Sequence, residues 1–106
     1  MSLPRPVATY LTAEKAKDPD MLDLCFAEDA LVHDERRDYR GLDAIKSWQR
    51  EAEGKYRYVV EPLDASVSEN IVTLRARLTG DFPGSPVELD YTFTLANDKI
   101  TSLEIQ

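Results

Sequence analysis

Cysteine and histidine are almost absent from this chain: one of each in 106 residues, Cys25 and His33. A single cysteine excludes an internal disulfide, and a single histidine excludes a His-rich metal centre, so neither a metal nor another cofactor is expected. Positive charge is also short. Thirteen Lys and Arg against 20 Asp and Glu leave a net charge of −7, with no basic field for a phosphate backbone or an anionic bilayer, so nucleic acid and membrane are excluded as expected partners. No apolar run approaches the ~20 residues of a membrane span. The opening MSLPRP lacks the layout of a secretion signal, which sets the expected location as cytoplasmic. Repeats and low-complexity linkers are missing too, so residues 1–106 read as one domain.

What is present suffices for one core: 42% apolar residues, including three Phe, five Tyr and one Trp. Pro6 suits a first helical turn, and Val7, Tyr10, Leu11 and Glu14 follow at helical spacing, which predicts a helix over 6–17. Asp18-Pro19-Asp20 reads as an N-cap, a first-turn proline and a dipole-complementing acid. A short second helix should follow, apolar nearly all round at Met21, Leu22, Leu24, Cys25 and Phe26, and therefore buried. Cys25 is a small core residue in this setting, with no basic neighbour to activate it.

Residues 31–34 are a short extended piece and Glu35 to Asp38 a charged turn. Gly41 then opens a third helix over 42–53, with Gly54 as its stop and Ile45, Trp48 and Ala52 on one face. From Lys55 the period changes to two. Tyr56, Tyr58 and Val60 alternate up to a bulge, bend or edge at Pro62, and Ser68-Glu69-Asn70 turns the chain. Val72, Leu74, Ala76 and Leu78 then share a face, and Phe82 to Ser85 has the residues of a hairpin loop. Val87, Leu89, Tyr91, Phe93 and Leu95 share a face of the return strand, Asn97-Asp98 turns again, and Ile100 to Gln106 is a last strand. Helices first and an antiparallel meander last define an α+β domain, with helices covering one face of a curved sheet. A bent sheet closed by helices encloses a cavity.

Asp34, a carboxylate on a short strand between two helices, is the first functional candidate. Its other open roles are to cap the turn before Gly41 or to pair with Arg36 or Arg37. His33 alternates with Asp34 and should face away from it. Trp48 is either core filler or a cavity wall.

FAEDALVHDE…YRGLDAI at 26–45, followed by LDYTFTLANDKITSLEI at 89–105, resembles the nuclear transport factor 2-like superfamily. Within it the sequence is most similar to the SnoaL-like polyketide cyclases and ketosteroid isomerases. The resemblance implies a cone-shaped, curved antiparallel or mixed sheet wrapped around N-terminal helices, a cystatin-like α+β roll. It places Tyr10 on the family's helix-one tyrosine and Asp34 on its general base, beside a ligand carbonyl whose developing enolate a hydroxyl stabilises. Trp48, Tyr58, Val32, Phe26 and Phe93 are the expected walls for a small apolar or carbonyl-bearing ligand. A count back from Lys99 puts the family's third acid on Asp90, yet alternation turns Asp90 outward and Tyr91 inward. If the loop pairs Leu78 with Leu89, Arg77 lies opposite Asp90 in a cross-strand ion pair, and Tyr91 becomes the cavity hydroxyl. Two functions stay open: a cofactor-independent isomerase, cyclase or lyase, and a non-catalytic ligand- or protein-binding module. The resemblance also implies a homodimer through the outer sheet face, where Val59 and Ile71 would otherwise be exposed.

Overall fold

The structure is a computed structural model that describes residues 2–106. Helix α1 (Arg5–Ala16) starts behind Pro4 and buries Val7, Tyr10, Ala13 and Glu14 along one stripe. It ends where Lys17 turns left-handed at φ 55°, so that the Lys17 and Asp18 amides close back on Glu14 and Ala13. Asp18 then caps as expected, its side chain accepting from the Asp20 amide at 3.2 Å. The second helix is a 3₁₀ segment, Pro19–Leu24, that buries Leu22 but leaves Leu24 63% exposed, so it is not buried all round. Cys25 is a core residue, and burial pushes its thiol up to about 12.

Phe26 does not end that helix; it begins strand β1 (Phe26–Asp34), which is twice the expected length. A two-residue turn at Glu35-Arg36 leads into β2 (Arg37–Arg40), so the expected charged turn is a hairpin. Gly41 follows with φ 88°, a conformation that a side chain would strain, and its amide bonds the Ala30 carbonyl at 2.8 Å. That bond anchors helix α2 (Leu42–Lys55) on β1. Gly54 lies inside α2, which stops only when Tyr56 becomes extended. The remaining strands are β3 (Tyr58–Ser68), β4 (Ile71–Gly80), β5 (Val87–Ala96) and β6 (Lys99–Ile105).

The six strands run in the order β2-β1-β6-β5-β4-β3, antiparallel except for the β1–β6 pair. Register shifts between Phe26 and Leu31 in β1, at Pro62 to Asp64 in β3 and at Thr94–Leu95 in β5 break the ladder where the sheet bends. The inner face packs on both helices. Tyr10 meets Phe26 and Phe93 edge-on, with centroids 5.9 and 5.5 Å away, and each fully buried ring contributes roughly 1.5–3 kcal/mol through burial.

On the outer face Arg75 stands opposite Asp90 and Arg77 opposite Glu88. Asp90 therefore does make a cross-strand ion pair, with Arg75 at 3.1 Å and not with Arg77, because Leu78 pairs with Val87 and not with Leu89. Val59 and Ile71 are exposed, 69% and 43%, on this same face. Arg75, Arg77 and their acidic partners run between them, so the outer surface is a mixed one.

Candidate functional site

The two helices cover only part of the inner face. Between α1, α2 and strands β1, β3 and β5 an open-mouthed cavity of about 1210 Å³ remains. Its deep wall is made by Tyr10, Glu14, Trp48, Gln49 and Tyr91, all buried, with Asp34 and Tyr58 half-buried beside them. Its mouth is formed by the Glu35-Arg36 turn, the end of α2 and the loop around Pro83. The lining mixes aromatic surface with a few convergent polar groups, the usual composition of a small-molecule site.

Asp34 is the last residue of β1 and points inward because the strand alternates from buried Ala30 and Val32. It pairs with neither Arg36 nor Arg37. The Trp48 indole Nε1–H donates to Asp34 Oδ2 at 3.0 Å, from one turn above Ile45 on α2. Burial raises the Asp34 pKa above the ordinary carboxylate value, and the Trp48 bond offsets part of that by favouring the charged form. Trp48 is thus both a wall of the cavity and the partner that fixes Asp34. Its ring also faces Tyr39 of β2, at 6.2 Å. His33, expected to face away from Asp34, borders the same cavity, and its Nδ1 lies 2.6 Å from Asp38 Oδ1 of β2. That contact raises its pKa, chiefly through the hydrogen bond to Asp38.

The expected residues divide into two groups. Tyr10, Asp34, Trp48, Tyr58 and Tyr91 come together around the cavity. Phe26, Val32 and Phe93 do not line it. They are 1%, 0% and 0% exposed and belong to the core, where Phe26 and Phe93 meet the Tyr10 ring of α1. They share a face with the site residues but lie in the part of it that the core covers. Tyr91 faces inward and Asp90 outward, so no acid of β5 enters the cavity. Burial raises the pKa of Tyr10, Tyr58 and Tyr91, so all three hydroxyls keep their protons and remain donors.

One site residue escaped the reading of the sequence. Glu14 lies on the cavity side of α1 at 9% exposure, and burial raises its pKa against the smaller opposing effect of the Tyr10 and Tyr58 hydroxyls. The signal was its spacing: four residues after Tyr10 and seven after Val7, a charged side chain in the apolar stripe of a helix. Among the described residues no group of three or more His, Cys, Asp or Glu is arranged to hold a metal ion. Likewise no described helix is long and apolar enough to cross a membrane.

The profile of the SnoaL-like domain family matches residues 7–103. No curated protein sequence matches the chain. Among solved structures, a candidate polyketide cyclase from Sinorhizobium meliloti is 42% identical, with 98% of this chain and 95% of that chain covered and a TM-score of 0.95. A hypothetical protein from Catenulispora acidiphila with a ketosteroid isomerase-like fold, in complex with trimethylamine, is 20% identical over 99% of this chain and 86% of that one, at a TM-score of 0.85. An LEH-like epoxide hydrolase from M. tuberculosis is 17% identical over 96% and 79%, at 0.77. These last two share the fold alone, the nuclear transport factor 2-like α+β cone that the bent six-stranded sheet and its helices describe. With nearly its whole length matched by the family profile and a relative at 42% identity, the chain belongs to the SnoaL-like domain family.

Proposed function

We propose that the cavity takes a small hydrophobic molecule bearing a carbonyl and that Asp34 is the general base of a cofactor-independent isomerase, cyclase or lyase. The observation that carries this reading is the half-buried Asp34 carboxyl, held by Trp48 at 3.0 Å on the wall of a cavity that Tyr10, Tyr58 and Tyr91 also line. Ionised Asp34 takes a proton from the carbon beside the carbonyl. The electron pair of that C–H bond becomes a double bond to the carbonyl carbon as the C=O π pair moves onto oxygen, and the enolate formed accepts a hydrogen bond from Tyr10 or Tyr91. Return of the proton to another carbon gives isomerisation. Attack of the enolate carbon on a second carbonyl closes a ring, and expulsion of a neighbouring leaving group gives elimination. The similarity to a candidate polyketide cyclase supports the same class of substrate.

Deuterium exchange of α-tetralone, a neutral bicyclic ketone, in D₂O tests the reading. The protein should accelerate exchange beside the carbonyl, and Asp34→Asn should slow it by about 10²–10⁴. Equal rates for both proteins would remove Asp34 from the role of base. Binding of the ketone with no acceleration by either protein would make the cavity a non-catalytic binding module. A two-fold dimer through the outer face belongs to the same reading, supported by exposed Val59 and Ile71; light scattering that returns the monomer mass at high concentration would dismiss it.

A further inference from the structure

Helix α1 buries a carboxyl that has no counter-charge. Among the described residues Glu14 makes no ion pair. The groups that face it are Tyr10 of its own helix, Tyr58 of β3, Tyr91 of β5, Asp34 of β1 and Glu53 of α2. Each of these is either a neutral hydroxyl or an acid. Lys17, just past the end of the helix, lays its ammonium over the Tyr58 ring at 6.0 Å. Gln49, 2% exposed, spends its amide N–H on Glu53 at 2.9 Å. A carboxylate at this place gains hydrogen bonds from the Tyr10 and Tyr58 hydroxyls, but desolvation is the larger effect and the like charges of Glu53 and Asp34 add to it, so the balance moves toward the acid form.

We propose that Glu14 is a neutral carboxylic acid in the resting protein and that its O–H is a hydrogen-bond donor to the ligand's carbonyl oxygen, across the cavity from Asp34. The proposal rests on the cavity being a ketone site. It gives the two carboxyls separate duties by environment. Asp34 is half-buried and receives an indole N–H that favours its ionised form; Glu14 is more deeply enclosed and surrounded by phenols and acids. Pairs of acids driven apart in this way divide acid and base work. The donating acid thus comes from the first helix, in a chain whose β5 acid is spent on Arg75 outside. A cavity floor that presents O–H groups selects ligands with an acceptor oxygen there and disfavours an ammonium group of the same shape, which an ionised Glu14 would attract.

Infrared difference spectra at pH 7 between the protein and Glu14→Gln read the protonation directly. The carbonyl stretch of a protonated carboxylic acid should be present in the parent and absent from the variant. The donor role is read from quenching of Trp48, the single tryptophan, by α-tetralone and by the corresponding aminotetralin. Glu14→Gln, which keeps an N–H donor in the same shape, should bind the ketone within about twofold of the parent, and Glu14→Leu about fivefold or more weakly. The amine should bind the parent more weakly than the ketone. Absence of the acid band, or tighter binding of the amine than of the ketone, overturns the neutral acid. Unchanged ketone binding by Glu14→Leu overturns the donor role. Failure of the ketone to bind the parent overturns the ligand half together with the reading it rests on, and the band still decides the protonation. Bound ketone whose exchange is insensitive to Asp34→Asn removes Asp34 alone.

Discussion

Replacing Trp48 with Phe tests whether the indole N–H sets the charge state of Asp34. The change keeps an aromatic ring against Tyr39 and deletes the donor 3.0 Å from Asp34 Oδ2. A hydrogen bond to a charged group contributes about 1.5–3 kcal/mol. Asp34 is only half-buried, so solvent replaces part of the loss and the lower end, about 1.5 kcal/mol, applies. That is close to a tenfold change in acid dissociation, and the Asp34 pKa should rise by about one in Trp48→Phe. The sign follows from which form the bond favours: an N–H donor stabilises the carboxylate, so its removal favours the acid. The same bond makes the variant's stability deficit depend on pH. Well below both pKa values Asp34 is protonated in each protein, and the variant loses only packing. At neutral pH it loses about 1.5 kcal/mol more. A carbon-13 titration of the Asp34 side-chain carboxyl, assigned with Asp34→Asn, reads the first quantity, and urea unfolding at pH 3 and pH 7 reads the second. An Asp34 pKa that stays put or falls in Trp48→Phe refutes the reasoning.

Three further outcomes are expected. Asp34→Asn removes a carboxyl whose folded pKa lies above its unfolded value. The parent loses stability as pH rises from the unfolded pKa of ~3.9 through the folded one, so urea unfolding should favour the Asn variant more at pH 7 than at pH 3. Arg36 holds φ 66° in the β1–β2 turn, which costs a residue with a side chain roughly 1–2 kcal/mol; Arg36→Gly should raise the melting temperature by several degrees, and a lowered one would show that the Arg side chain matters more than its backbone. Asp90→Asn breaks an exposed pair with Arg75 and should cost less than about 1 kcal/mol, leaving ketone binding unchanged by Trp48 quenching, whereas a tenfold loss of binding would return Asp90 to the site.

The order of helices and strands was legible because apolar period changes with secondary structure, and it does so visibly at Lys55. The β1–β2 hairpin was not legible. Its turn residues Glu35 and Arg36 both take positive φ without the Asn or Gly that usually announces such a turn. The outward direction of Asp90 and the inward direction of Tyr91 followed from alternation, yet the partner of Asp90 did not. A strand slipped by two residues keeps every side chain on its face, so the pattern settles the face and leaves Arg75 and Arg77 equivalent. Asp34 was visible as a carboxylate ending an apolar strand. The indole that holds it, 14 residues away, was visible only as a helix-face aromatic, because the bond depends on how α2 docks on β1. Glu14 was read as one more position of a helical stripe, although an acid inside that stripe is the anomaly that marks a cavity. Phe26, Val32 and Phe93 share the inward face with the site residues yet lie in the core, because alternation settles the face and not which part of it is left open.

β6 lies in the middle of the sheet, between β1 and β5, although it is the last strand in chain order. Asp34 and Tyr91 stand on its two flanks, and among the described strands it is the one that pairs with both the β2-β1 hairpin and the β5-β4-β3 meander. A ribosome delivers this strand after everything that surrounds it. Without Lys99–Ile105 the β2-β1 hairpin and the meander would each present an unpaired edge to the other. The cavity therefore depends on one seven-residue segment that holds both edges together.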